Sequence, residues 1–108
     1  MDWNALIEER LAALRELYNE FYQEWEQAEE NFYTEILLKM VEDGEINEAE
    51  NKLFALMEEE TKNAYINVGC SFYSTLQRMN EEELEFCGFS REEIADGLKD
   101  IMVLYCLM

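Results

Sequence analysis

The sequence contains no histidine and no proline, and only 4 of its 108 residues are glycine. Without histidine, the chain lacks the side chain that most often serves as a general base and as a transition-metal ligand. The scarcity of helix breakers predicts an almost entirely α-helical protein. We therefore expect an all-α, compact helical bundle that is not an enzyme, with no catalytic residue, no metal site and no cofactor.

Basic residues are also scarce, because 8 Lys and Arg stand against 26 Asp and Glu, for a net charge of −18. A field of this sign repels nucleic acid and anionic membranes, so we expect neither as a direct partner. A solvated outer surface is the commonest origin of such a charge. Among partners, the charge favours a basic protein.

The three cysteines, Cys70, Cys87 and Cys106, are odd in number and contain no C-x-x-C pair, which argues against a zinc site. Long apolar runs are missing as well: the longest, residues 101–108, is far shorter than a membrane span. The first residues show neither the basic nor the apolar region of a secretory signal. These features predict reduced, mostly buried thiols in a cytoplasmic protein.

The most informative segment that is present is GEINEAENKLF, residues 44–54. Gly44 supplies the positive φ that ends a helix, and Ile46 is expected to pack into the turn. Asn47 with Glu50 forms a capping-box pattern for the next helix. The segment predicts a helical hairpin suited to contacts with other helices.

The N-terminal region predicts one long helix over residues 1–31, capped by Asp2 and able to continue to Asp43. Its apolar positions alternate at spacings of 4 and 3: Ile7, Leu11, Leu14, Tyr18, Phe21, Trp25, Ala28 and Phe32. Such a seam packs against another helix, and its aromatic content favours a broad bundle over a two-stranded coiled coil. The alternative is a bend near residues 28–31 that folds the chain back on its own hairpin.

The remainder predicts a helix over about 48–59, a break within 58–63, and a third helix over about 64–79. Asn80 caps a short helix, 81–86, that stops at Gly88, and Ser90 with Glu93 opens the last helix. We expect a single domain, 1–108. It comprises the long helix (1–31), the hairpin plus third helix (32–79), and the short and C-terminal helices (80–108).

Two resemblances follow from these residues. The hairpin resembles a degenerate tetratricopeptide repeat, which implies helix packing and protein–protein contacts. The matching positions are Tyr33, Ile36, Leu37, Met40, Gly44, Ala49, Leu53 and Leu56, and the first-helix pattern recurs at Tyr65, Val68, Gly69 and Phe72. Over about residues 32–105, the chain resembles a bacterial family of unknown function from Gram-positive anaerobes. That resemblance implies a helical fold and a cytoplasmic host, but no chemistry.

Some apolar side chains exceed what a chain of this size is expected to cover alone, and they form our candidate interface. They are Tyr18, Phe21, Tyr22, Trp25, Tyr105, Leu107 and Met108. We predict a small acidic protein–protein interaction module, with a homodimer that pairs the two apolar elements. Two alternatives stay open: an acidic inhibitor that mimics nucleic acid and blocks a basic groove, and a structural dimerisation unit.

Overall fold

The structure, a computed structural model, describes residues 1–105 and contains helices but no strand within that range. The helices are α1 (Trp3–Glu20), α2 (Gln27–Glu42), α3 (Ile46–Glu59), α4 (Asn63–Gln77), α5 (Glu81–Phe86) and α6 (Arg91–Leu104), with a 3-10 turn at Glu24–Glu26. The predicted all-α class is confirmed. Within the same range, no helix combines the length and the hydrophobicity that crossing a membrane requires.

Helix α4 lies at the centre of the bundle and packs against α1, α2, α3 and α6. Its sequence explains this position, because nine of its residues, from Ala64 to Leu76, are buried. A helix that is apolar around most of its circumference must be surrounded by other helices. Helix α1 also packs against α6, and α2 packs against α3. Helix α4 therefore connects the α1–α6 pair to the α2–α3 pair.

The predicted long N-terminal helix over residues 1–31 is wrong. Helix α1 ends at Glu20, Gln23 is extended (φ −128°, ψ 118°), and α2 begins only at Gln27. The chain does fold back, but at residues 21–26 instead of the predicted 28–31. A helix continuing to Asp43 would be roughly 60 Å long, whereas the whole described chain measures 38 × 29 × 20 Å. Turning at residue 21 keeps α1 within the length that α4 and α6 can cover.

The α2–α3 hairpin forms as predicted, but one of its predicted caps is wrong. Gly44 has φ 80° and ends α2. Helix α3 begins at Ile46, after Glu45, so Asn47 lies inside the first turn and does not cap it. The Asn47 amide instead donates to the carbonyl oxygen of Gly88 (3.4 Å). Ile46 is fully buried. Burial of this side chain in the core, a tertiary effect, moves the start of α3 to an earlier residue than the local pattern indicates.

Three other predicted caps are present. Asp2 accepts a hydrogen bond from the amide of Ala5 (3.1 Å), and Ser90 accepts one from the amide of Glu93 (3.2 Å). Asn80 and Glu83 form a complete capping box at the start of α5. These caps need only residues three positions apart, which is why the local sequence is enough to find them.

Candidate functional site at the aromatic end

Exposed aromatic side chains concentrate where the chain turns from α1 into α2. Trp25 is 79% exposed, Phe32 57%, Phe21 54% and Tyr22 44%. Elsewhere in residues 1–105, the exposed large hydrophobic side chains are Met1, Phe86 and Val103. We call the surface formed by Tyr18, Phe21, Tyr22, Trp25 and Tyr105 the aromatic end, and the exposed Phe32 follows it on α2. Aromatic side chains of this kind supply much of the binding energy at protein interfaces.

The turn itself is held by side chains of its own segment. The rings of Tyr18 and Tyr22 meet edge to face, with centroids 5.7 Å apart. The Tyr22 hydroxyl donates to Oε1 of Gln27 (3.2 Å), and Nε2 of Gln27 donates to Oδ1 of Asn31 (3.0 Å). The end of α1 is thereby linked across the 3-10 turn to the start of α2, which leaves Phe21 and Trp25 facing solvent.

The start of α4 brings Tyr18 and Tyr105 to the same end of the bundle. The Asn63 side-chain amide donates to the carbonyl oxygen of Tyr18 (3.0 Å), and the Tyr105 hydroxyl donates to the carbonyl oxygen of Lys62 (2.6 Å). Because Lys62 and Asn63 are consecutive, the C-terminal ends of α1 and α6 meet there. The structure thus groups the candidate interface residues Tyr18, Phe21, Tyr22, Trp25 and Tyr105. Leu107 and Met108 lie outside the described residues.

A buried carboxylate, Glu30, lies beneath this surface and is 2% exposed. It accepts hydrogen bonds from the Tyr18 hydroxyl (2.7 Å) and from the Asn67 side-chain amide. Burial, together with the hydrogen bond to Glu30, raises the pKa of Tyr18 above its ordinary range, so the phenol stays protonated as a donor. Glu30 also lies in the first turn of α2, where helix amides favour negative charge.

The neighbouring Glu29 links α2 to α4 in a second polar cluster. It accepts a hydrogen bond from the Tyr65 hydroxyl (2.6 Å) and from Nζ of Lys62 (2.9 Å). These two donors, Tyr65 first, lower the pKa of the Glu29 carboxyl. Both carboxylates are thus engaged as links between helices. Cys70 contributes no reactive thiolate, because burial raises its pKa to about 12.

A comparison with protein-family models matches residues 4–106 of this chain to a family of unknown function. The chain belongs to the DUF6483 family. The predicted likeness to an uncharacterised helical family is confirmed, and the match is wider than the predicted 32–105 because it includes α1 and the aromatic end. No curated protein and no solved structure matches the chain.

In this DUF6483 chain, two residues of α2, Glu30 and Phe32, differ in burial from what the sequence pattern indicates. The pattern puts Phe32 in the buried seam, yet Phe32 lies two positions after the buried Glu30, roughly 200° around α2. The burial of Leu37 and Val41 on the Glu30 side shows that Phe32 faces away from the core. No local signal marks Glu30, since adjacent glutamates usually occupy solvated helix surface.

We predict that Tyr18→Phe lowers the free energy of unfolding by about 2 kcal/mol, because buried Glu30 loses a hydrogen-bond donor. The matched control is Tyr22→Phe, which removes a hydroxyl from an exposed ring on the same segment. The control should change stability by less than about 0.5 kcal/mol. Urea denaturation followed by circular dichroism measures both. Equal losses would contradict a structural role for the Tyr18–Glu30 bond.

Proposed function

We propose that this DUF6483 protein is a non-catalytic protein–protein interaction module that contacts its partner through the aromatic end. The observation that carries the proposal is the exposure of Phe21, Tyr22, Trp25 and Phe32 on one twelve-residue segment, 21–32. Large aromatic side chains gain most from being covered, and clusters of them on a surface usually mark an interface.

The charge around the aromatic end supports a basic partner. Glu20 and Glu24 are exposed beside the aromatic rings, and Glu26 is half-buried in the same turn. Two copies of the chain that met through this end would bring these carboxylates together, which opposes a homodimer. We therefore place a different protein, with Lys or Arg around an apolar contact, ahead of a second copy.

Packing in the hairpin region supports a tetratricopeptide-like module. The small residues of that pattern, Ala49 and Gly69, are both buried. A Cβ atom built on Gly69 would lie 2.8 Å from Cδ1 of Ile101 and 3.2 Å from Cε of Met57, so the absence of a side chain permits this close approach. We place the role in the cytoplasm, the compartment in which free thiols such as Cys70 and Cys87 persist.

Site-specific photo-crosslinking in cells of the native host tests the proposal, because it captures whichever protein contacts the labelled position. A photoreactive benzoylphenylalanine replaces Trp25 in one variant and exposed Ala55 on α3 in the control. We expect a discrete covalent adduct from position 25 and none from position 55. Circular dichroism verifies that both variants are folded.

The identity and position of the adduct distinguish the alternatives. A product of twice the 12.9 kDa chain mass would assign the aromatic end to a homodimer. A nucleic-acid-binding protein captured equally well from position 55 would favour the acidic mimic. The absence of any position-25 adduct above the control would overturn the proposal.

A further inference from the structure

A groove of about 460 Å³ separates α3 from α6. Its walls repeat at one-turn spacing, with Glu50, Phe54 and Glu58 on α3 and Asp96, Asp100 and Leu104 on α6. Helix α4 packs against both α3 and α6, and the hydroxyl of its buried Tyr73 donates to Oε2 of Glu50 (2.6 Å). Each wall extends over nine residues, and the eight steps between its first and last residue give a length of roughly 12 Å, about two helical turns.

The groove is acidic on both sides. Glu50, Glu58, Glu93, Asp96 and Asp100 line it, and no Lys or Arg does. None of these five carboxylates forms an ion pair within residues 1–105. Burial raises the pKa of Glu50, and the nearby Glu93 and Asp100 raise it further, against the effect of the hydrogen bond from Tyr73. The groove therefore concentrates negative charge that no cation of the described chain compensates.

An apolar strip lies between the acidic residues. Phe54 and Leu104 are half-buried there, and Val103 is 53% exposed. Gly97 also lines the groove, and the buried Tyr73 side chain occupies the space that a Cβ atom on Gly97 would take. A ligand that only neutralised charge would leave this strip in water, so the chemistry calls for an occupant that is both cationic and apolar.

The spacing of the acidic side chains favours a peptide ligand over a metal ion. Within the described part of the chain, no three His, Cys, Asp or Glu side chains come close enough to hold one metal ion. Three of the groove's carboxylates therefore cannot hold a single metal ion together. Lysines or arginines placed every turn on an α-helix match the one-turn repeat of both walls, whereas an extended strand would not.

We infer that the α3–α6 groove binds a basic amphipathic helix of a partner protein. Its Lys and Arg side chains pair with the carboxylates of both walls, and its apolar stripe covers Phe54, Val103 and Leu104. This is the helix-in-groove mode of recognition, in which the anchoring side chains of the bound helix recur about once per helical turn. The inference goes beyond the proposed function, because the groove uses no side chain of the aromatic end. An experiment can therefore disprove binding at one surface without disproving binding at the other.

The test uses a defined probe, a fluorescein-labelled synthetic 14-residue helix with a leucine stripe flanked by lysines, at physiological salt. Fluorescence anisotropy measures the dissociation constant, and ¹⁵N amide shifts map the site. We expect the largest shifts at Phe54, Asp96 and Val103. Asp96→Asn combined with Asp100→Asn should weaken binding about fivefold, and Val103→Ser about threefold.

The matched control removes two exposed carboxylates that lie away from the groove, Glu9→Gln with Glu35→Gln, and changes the net charge equally. It should weaken binding by less than about twofold. Equal weakening by both pairs would show attraction to net charge only and would overturn the inference. So would equal binding of a probe with serine in place of leucine, or full displacement of the helix by equimolar spermine.

Discussion

Ala49→Glu is expected to lower the free energy of unfolding by about 4 kcal/mol or more, enough to unfold much of the protein at 25 °C. Ala49 is fully buried in α3, where the hairpin packs together. A glutamate there has no space for its side chain and no partner for its charge, so both overpacking and desolvation act against it.

The control for this prediction is Ala55→Glu, the same substitution on the exposed face of the same helix. It should change stability by less than about 0.5 kcal/mol, and Glu48→Ala, also exposed, by a similarly small amount. Chemical denaturation of the three variants measures the differences. Similar losses at positions 49 and 55 would mean that the inward face of α3 is assigned incorrectly.

Gly97→Ala is expected to destabilise the protein by about 2–3 kcal/mol, although alanine is the better helix former by about 1 kcal/mol. A Cβ atom on Gly97 would overlap the hydroxyl end of the Tyr73 ring more closely than real Cβ atoms ever approach a neighbour. The ring cannot easily move aside, because Tyr73 is fully buried and its hydroxyl is bonded to Glu50.

Gly69→Ala provides the comparison, since it makes the same substitution in the central helix. Its nearest neighbours would be the terminal Cδ1 of Ile101 and Cε of Met57, which can rotate away. We expect a loss clearly smaller than that at Gly97, measured by the same urea titration. A stabilised Gly97→Ala, or a greater loss at Gly69, would contradict the packing of Tyr73 against α6.

Much of the fold can be predicted from the sequence where the signal is local. The end of α2 at Gly44, the bounds of α5 and the caps at Asp2 and Ser90 each depend on residues within one helical turn. The predicted Asn47 cap is wrong because Ile46, one residue earlier, is fully buried in the core. Local propensity gives way when a large apolar side chain can be covered.

The candidate site can be predicted in part. The sequence identifies Tyr18, Phe21, Tyr22 and Trp25 as apolar surface in excess, and the structure places them at one end. The α3–α6 groove cannot be found in this way, because its two walls lie about 40 residues apart in sequence and its acids resemble ordinary solvated surface. The local pattern even assigns Glu50 to a cap, whereas Glu50 accepts a hydrogen bond from Tyr73 on α4.

The sequence by itself determined an acidic, all-helical chain, because composition and 3.6-residue periodicity act through each helix separately. The tertiary structure alone decided that the first helix stops at Glu20 and that α4 becomes the centre. Apolar residues keep the same alternation of spacings of 4 and 3 on both sides of that stop, at Leu14, Tyr18, Phe21 and Trp25. Periodicity predicts which side chains gain free energy from burial. Which of them are covered depends on the helices packed nearby, and Trp25 remains exposed.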